Sequence, residues 1–214
     1  MYMNAYLEKL KAYVENGGTL VMTYWSGIVN DTDLCYLGGF PGDGLDKLCG
    51  VAQEEIDTLY PQDTNRASVV SAPETAGFAE SYEIKDYQEV IHSTTAKVLA
   101  YYQNDYTAGM PAFTVNAYGK GKVYYIAAAF EEDFYTALYG NLIRENGLRS
   151  LDVELPTGVY MSERMCEDNV ACYIIQNYNT EDKTISLPRE MTLLETGEKL
   201  TSFTLPAYGT TFLV

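Results

Sequence analysis

Reactive side chains are scarce in these 214 residues, which include one histidine, one tryptophan and four cysteines. With a single histidine, His92, a metal centre would have to be completed from scattered carboxylates, and none are grouped for it. A Ser–His–acid triad needs a nucleophile elbow, and GxSxG does not occur. Within Val90-Ile91-His92-Ser93 the ring reads as a hydrogen-bonded histidine on a strand. The thiols Cys35, Cys49, Cys166 and Cys172 form no CxxC pair, so structural zinc is unsupported. Spread this widely, they fit a reducing cytoplasm better than a disulfide framework. Basic residues are also few. Fourteen Lys and Arg against 30 Asp and Glu give a net charge of −16, which excludes binding to a nucleic-acid backbone and reads as solubility. No apolar run approaches the roughly 20 residues that span a bilayer, and Met1–Ala5 has neither a basic nor an apolar leader segment. No membrane partner is expected. Asn30-Asp31-Thr32 matches a glycosylation acceptor but, without a leader, reads as chance.

Glycine is plentiful, yet phosphate-binding spacings are missing. Gly38-Gly39-Phe40-Pro41-Gly42 holds a proline and opens no clean helix, and Gly119-Lys120-Gly121 reads as a hairpin turn. No cofactor and no metal are predicted. Two carboxylate clusters remain. In Glu54-Glu55-Ile56-Asp57, strand alternation would send Glu54 and Glu55 to opposite faces, so they could not flank one glycosidic bond. In Glu131-Glu132-Asp133, acids at a helix start complement its dipole.

The order of elements is legible. Met3, Leu7, Leu10 and Val14 make one face of an opening helix, Gly17-Gly18 stops it, and Thr19–Tyr24 reads as a strand apolar on both faces. A helix feeding a buried parallel strand is the second half of a βαβ unit, so a strand is expected upstream and the chain reads as truncated. A long glycine-rich loop, residues 25–44, follows; loops of this length are often functional or interface-forming. Then come a short helix at 45–49 and a strand at 51–59. The stretch 60–96 shows only strand-like patches near Ser68–Val70 and Ala79–Ile84. Strands are predicted over 97–103, 112–118 and 122–128, the last two joined by the hairpin, and a helix over 132–146. From Leu151 on, six short strands (158–165, 170–177, 183–187, 191–194, 199–204 and 209–214) describe a small antiparallel sandwich. The predicted class is therefore α/β, with a parallel or mixed sheet over 1–150, followed by an all-β domain over 151–214.

Aromatic residues are abundant, 20 of them tyrosine. Most serve packing. Trp25 and Phe40 on the glycine-rich loop, together with Tyr106, are the candidates for a subunit interface or the rim of an active site. Two other readings stand beside this one. The first is an amidotransferase-like enzyme using Cys35 or Cys49 as a low-pKa nucleophile. The second is a carbohydrate-binding module at 151–214, with Tyr160, Tyr173, Tyr178 and Tyr208 as platform candidates.

Taken in order, several motifs give the chain a resemblance to the C-terminal half of family 42 glycoside hydrolases, the β-galactosidases. They are Gly17-Gly18-Thr19-Leu20, Tyr24-Trp25-Ser26-Gly27-Ile28-Val29-Asn30, Leu37 to Gly42, Asp105 to Ala112, Asn116 to Gly121, Thr196-Gly197-Glu198 and Leu205 to Gly209. The resemblance covers nearly the whole chain and is loosest over 60–96. It implies a parent enzyme whose catalytic TIM barrel lies upstream, an α/β trimerisation domain of amidotransferase-like or flavodoxin-like layers at 1–150 and a terminal β domain at 151–214. It further implies a homo-trimer acting on terminal β-D-galactosides. Neither family glutamate has a counterpart here, so no catalytic residue is carried over and the chain alone is expected to be inactive.

Overall fold

The computed structural model describes residues 4–148, 153–167 and 169–214. The chain divides into two compact units, Met1–Leu148 and Arg149–Val214. The first is a mixed α/β layer structure and the second a small antiparallel β structure.

Helix α1 (Asn4–Glu15) buries Leu7 and Val14 completely; seven residues is two helical turns, so both face the same way. β1 (Thr19–Thr23) then pairs in parallel with β7 (Gly121–Ile126), in register from Thr19↔Lys122 to Thr23↔Ile126. The other strands of this unit are β2 (Val51–Thr58), β3 (Asn65–Val69), β4 (Ser81–Ser93), β5 (Lys97–Tyr102), β6 (Pro111–Tyr118) and β8 (Ala128–Phe130). The order across the sheet is β1-β7-β6-β5-β3-β4-β2, and every recorded pairing except β1 with β7 is antiparallel. Among the described residues β1 lies at the edge of this sheet, half covered. β8 follows β7 after one residue yet pairs with β4, so the path β7-β6-β5-β3-β4-β8 returns to its own starting strand and the sheet bends back on itself.

Alternation along β7 and β8 explains why helices cover both faces. Val123, Tyr125 and Ala127 point to a core shared with α1 and with α2 (Leu45–Cys49). Tyr124, Ile126 and Ala128 point to a second core, shared with Phe134, Leu138 and Leu142 of α3 (Glu132–Glu145). Each fully buried aliphatic or aromatic side chain contributes about 1.5–3 kcal/mol, so these two cores dominate the fold's stability.

α2 is too short to persist by itself, and a side chain from β6 holds its end. Asn116 donates to the carbonyls of Leu48 (2.9 Å) and Lys47 (3.3 Å), two acceptors a helix C-terminus otherwise leaves open. Gly50 follows with φ +67°, and a Cβ there would sit 2.6 Å from the side chains of Asn116 and Thr95. Only glycine fits this corner.

The hard-to-read stretch resolves into β3 and a 13-residue β4 that runs from Ser81 through His92. β4 was hidden because a register irregularity between Ile84 and Gln88, with Asp86 left-handed at φ 66°, breaks its alternation. A second irregularity, between Gln53 and Glu55 on β2, interrupts the strict alternation expected at Glu54-Glu55.

Among the described residues the second unit holds five strands where six are predicted: β9 (Val159–Cys166), β10 (Asn169–Asn177), β11 (Lys183–Thr192), β12 (Lys199–Leu205) and β13 (Thr210–Leu213). Two predicted strands are one, because β11 runs through Pro188 across a register shift between Ser186 and Met191. Proline is tolerated at such a bulge. The sheets β13-β10-β9 and β11-β12 enclose Ile175, Ile185 and Leu213, all fully buried. The amide of Asn177, 2% exposed, ties the carbonyls of Glu181, Leu205 and Pro206 together at one end.

Candidate functional site

The long loop of residues 25–44 is a folded arch. Its tip is a short antiparallel turn with a bridge between Val29 and Cys35. The Asn30 side-chain oxygen Oδ1 accepts from the backbone N–H of Thr32 (2.9 Å) and Leu34 (3.1 Å) and from the Thr32 hydroxyl (2.8 Å). That oxygen thereby closes the turn at the tip. Gly42 returns to Gly27 by a 2.8 Å backbone bond, and a Cβ on Gly42 would lie 2.2 Å from the Tyr36 ring. The far end is fastened to the outer edge of β2, where Gln53 N–H donates to the Phe40 carbonyl at 2.8 Å.

The near end is fastened by Trp25. Its φ is +65°, a left-handed conformation that costs a bulky residue about 1–2 kcal/mol, so neighbours must impose it. The Trp25 N–H donates to Glu89 Oε1 at 2.7 Å, and the indole meets the Tyr87 ring edge-on at 5.2 Å while staying 54% exposed. Glu89, on β4, is fully buried, and its Oε2 accepts from the Tyr125 hydroxyl at 2.8 Å. Burial pushes the Glu89 carboxyl up to about 7, opposed by the bonds from Trp25 and Tyr125. Beside it the Tyr102 hydroxyl donates toward the carbonyls of Ala127 (2.9 Å) and Glu89 (3.1 Å), where β8 meets β4.

Tyr106 belongs to a different surface. It stands half-exposed on the turn after β5. Burial first, and a hydrogen bond to Asp57 second, push its hydroxyl up to about 12. Asp57 accepts from buried Gln88 (2.8 Å), which in turn accepts from buried Asn65 (2.9 Å). Gln88 and Glu89 are consecutive on β4 and point to opposite faces, so Trp25 and Tyr106 hang from opposite sides of the sheet. Phe40 is half-buried and shares Trp25's loop, at its opposite end. Of the three candidates, then, the structure joins Trp25 and Phe40 through one loop and leaves Tyr106 apart.

Two features of the region escaped the sequence reading. Leu37 is fully exposed and Leu34 is 65% exposed, apolar groups standing out on the arch beside Trp25. Glu89 was the other, a carboxylate inside the apolar run Val90-Ile91 and the strand before it; an acid amid strand-forming residues was the available signal. Beneath the arch is a pocket of about 210 Å³, and Gln53 on its wall keeps a buried carbonyl oxygen with no hydrogen-bond partner.

The remaining candidates have plain settings. His92 hydrogen-bonds Glu54 at 2.6 Å, with both side chains more than half exposed, outside any deep cleft. Cys49 is buried, and desolvation followed by the nearby Asp46 raises its pKa, which keeps it a protonated thiol and a poor nucleophile. Cys35 is exposed on the arch. Among the described residues no group of three or more His, Cys, Asp or Glu side chains could hold a metal ion. In the second unit Tyr173 is 8% exposed and part of the core, so it is not a platform residue. Tyr160 and Tyr178 are exposed but meet at 77°, edge to face rather than as one flat surface.

The first unit is thus an α/β layer that carries a folded, aromatic-bearing loop. The family model described as the beta-galactosidase trimerisation domain matches residues 1–149. The chain belongs to this family, the trimerisation domain of family 42 β-galactosidases. It is 43% identical over 195 residues to beta-galactosidase Pbg of Clostridium perfringens, covering 90% of this chain and 28% of that protein. Beta-galactosidase BglY of Alicyclobacillus acidocaldarius is 43% identical over 210 residues, covering 96% and 30%. The crystal structure of the beta-galactosidase from Bacillus circulans sp. alkalophilus superposes on all of this chain and 31% of its own, with a TM-score of 0.86 at 36% identity. The chain thus spans less than a third of the length of the relatives it matches.

Proposed function

We propose that this chain is the non-catalytic C-terminal part of a retaining, cytoplasmic β-galactosidase, working beside its own TIM barrel. Residues 1–150 associate subunits into a homo-trimer, and residues 151–214 form the terminal β domain. The arch bearing Trp25 and Phe40, together with the Tyr106 corner, meets a neighbouring subunit or borders the entrance to an active site that takes terminal β-D-galactosides. The family match over residues 1–149 carries this reading. The exposed Trp25, Leu34 and Leu37 support the interface assignment, because apolar side chains standing out on a loop gain from being covered.

Sedimentation equilibrium of the 214-residue chain tests it. A trimer is expected, and Leu37→Asp should weaken it without changing the circular dichroism spectrum. A chain that remains monomeric at its highest soluble concentration, or a Leu37→Asp variant that associates equally well, would refute the interface. Turnover of a chromogenic β-galactoside by the purified chain would refute the non-catalytic role.

A further inference from the structure

We propose that Glu89 is the positioning residue for Trp25, and that gain or loss of its proton tightens or loosens the arch of residues 25–44. This inference does not depend on the trimer reading. The geometry has three parts. Trp25 sits in a backbone conformation its side chain disfavours, and its N–H finds its acceptor in a carboxyl carried by a strand 64 residues away. That carboxyl is fully buried, with donors only from Trp25 and Tyr125, and among the described residues no Lys or Arg pairs with it. The near foot of the arch is therefore bonded to an acid that has no counter-ion among the described residues.

Two states follow from the chemistry. With its proton, Glu89 is neutral, one oxygen still accepts from Trp25, and burial is tolerated. Without its proton, a charge lies in the interior with two hydrogen bonds and no counter-ion, which burial penalises. Lifting Trp25 admits water and returns the carboxylate to ordinary solvation. The carboxyl held near 7 in the closed state, against its ordinary value of 4.5, gives the direction: acid favours the closed arch and alkali the open one. The other ionisable groups around it are Tyr125 from β7, Tyr102 from β5 and, next to Tyr125, Cys49 from α2. Burial raises all three, so none changes charge near neutrality. Asp57 lies across the sheet, bonded to Gln88 on the opposite face. Glu89 is the group that switches.

The test is amide hydrogen exchange at the Trp25 N–H, followed by NMR in the 214-residue chain and corrected for the intrinsic pH dependence of exchange. Between about pH 6 and about pH 8 the closed-to-open ratio should fall about tenfold in the wild type, as proton linkage between a carboxyl near 7 and one near 4.5 requires. Glu89→Gln keeps an acceptor for Trp25 and has no proton to lose, so its protection should not change. The inference is overturned if the wild-type protection is unchanged, or if Glu89→Gln shows the same fall. It is equally overturned if the Trp25 N–H is as protected as that of Val123 in the core, for then the arch opens only when the whole unit unfolds. Should Glu89→Gln fail to fold, the wild-type comparison of Trp25 with Val123 decides alone.

Discussion

Replacing Phe134 by alanine should remove the keystone of the second core. The ring is fully buried on α3 and touches five others. Phe130 stacks on it at 4.0 Å, while Phe113 (5.1 Å), Tyr82 (5.4 Å), Tyr135 (5.4 Å) and Phe78 (5.6 Å) meet it edge-on. A Phe→Ala change in a core costs about 3–5 kcal/mol through lost transfer energy and an unfilled cavity. Edge-to-face pairs add to this, so the upper end, about 4–5 kcal/mol, is expected. Against a total stability of about 5–15 kcal/mol that is a large share, corresponding to a fall in Tm of about 10–20 °C. Phe134→Leu retains part of the volume and should cost only about 1–2 kcal/mol. Urea unfolding followed through Trp25, the chain's sole tryptophan and a reporter of the first unit alone, measures both. A loss below about 2 kcal/mol for alanine, or equal losses for alanine and leucine, would mean that α3 is not docked through this ring.

Two further outcomes are expected. Because the folded-state pKa of Glu89 is raised, its contribution is fully favourable below about 4.5 and lost as pH rises through about 7. Stability should fall by about 3 kcal/mol across that window, and Glu89→Gln should flatten the profile in urea melts. Gly50→Ala should cost about 2–3 kcal/mol, since it combines a left-handed φ of +67° with a Cβ 2.6 Å from Asn116 and Thr95; a loss under about 0.5 kcal/mol in the same assay would disprove the close fit.

What the sequence disclosed depended on how local each signal was. α1, β1 and the β6–β7 hairpin announce themselves within a dozen residues, through helical spacing, an apolar run and Gly119-Lys120-Gly121. β4 does not. Its alternation slips at Asp86, and its partners β2, β3 and β8 come from three parts of the chain. At the site, Trp25 and Phe40 were visible as aromatics on a glycine-rich loop. Glu89 was not, since its meaning arises only where the loop and β7 converge on it. Tyr106 looked like their companion and stands across the sheet from Trp25, a separation fixed by the consecutive Gln88 and Glu89.

The arch is pinned at both feet, to β4 through Trp25 and to β2 through Phe40, and its tip is internally bonded through Asn30. A free stretch of this length would surrender about 1–2 kcal/mol of backbone entropy per residue on being immobilised. Here folding has already met most of that cost. Under the proposed interface role, a partner that meets Leu37 and the indole while Glu89 holds Trp25 in place finds a surface already shaped, and more of the contact energy is left to appear as affinity.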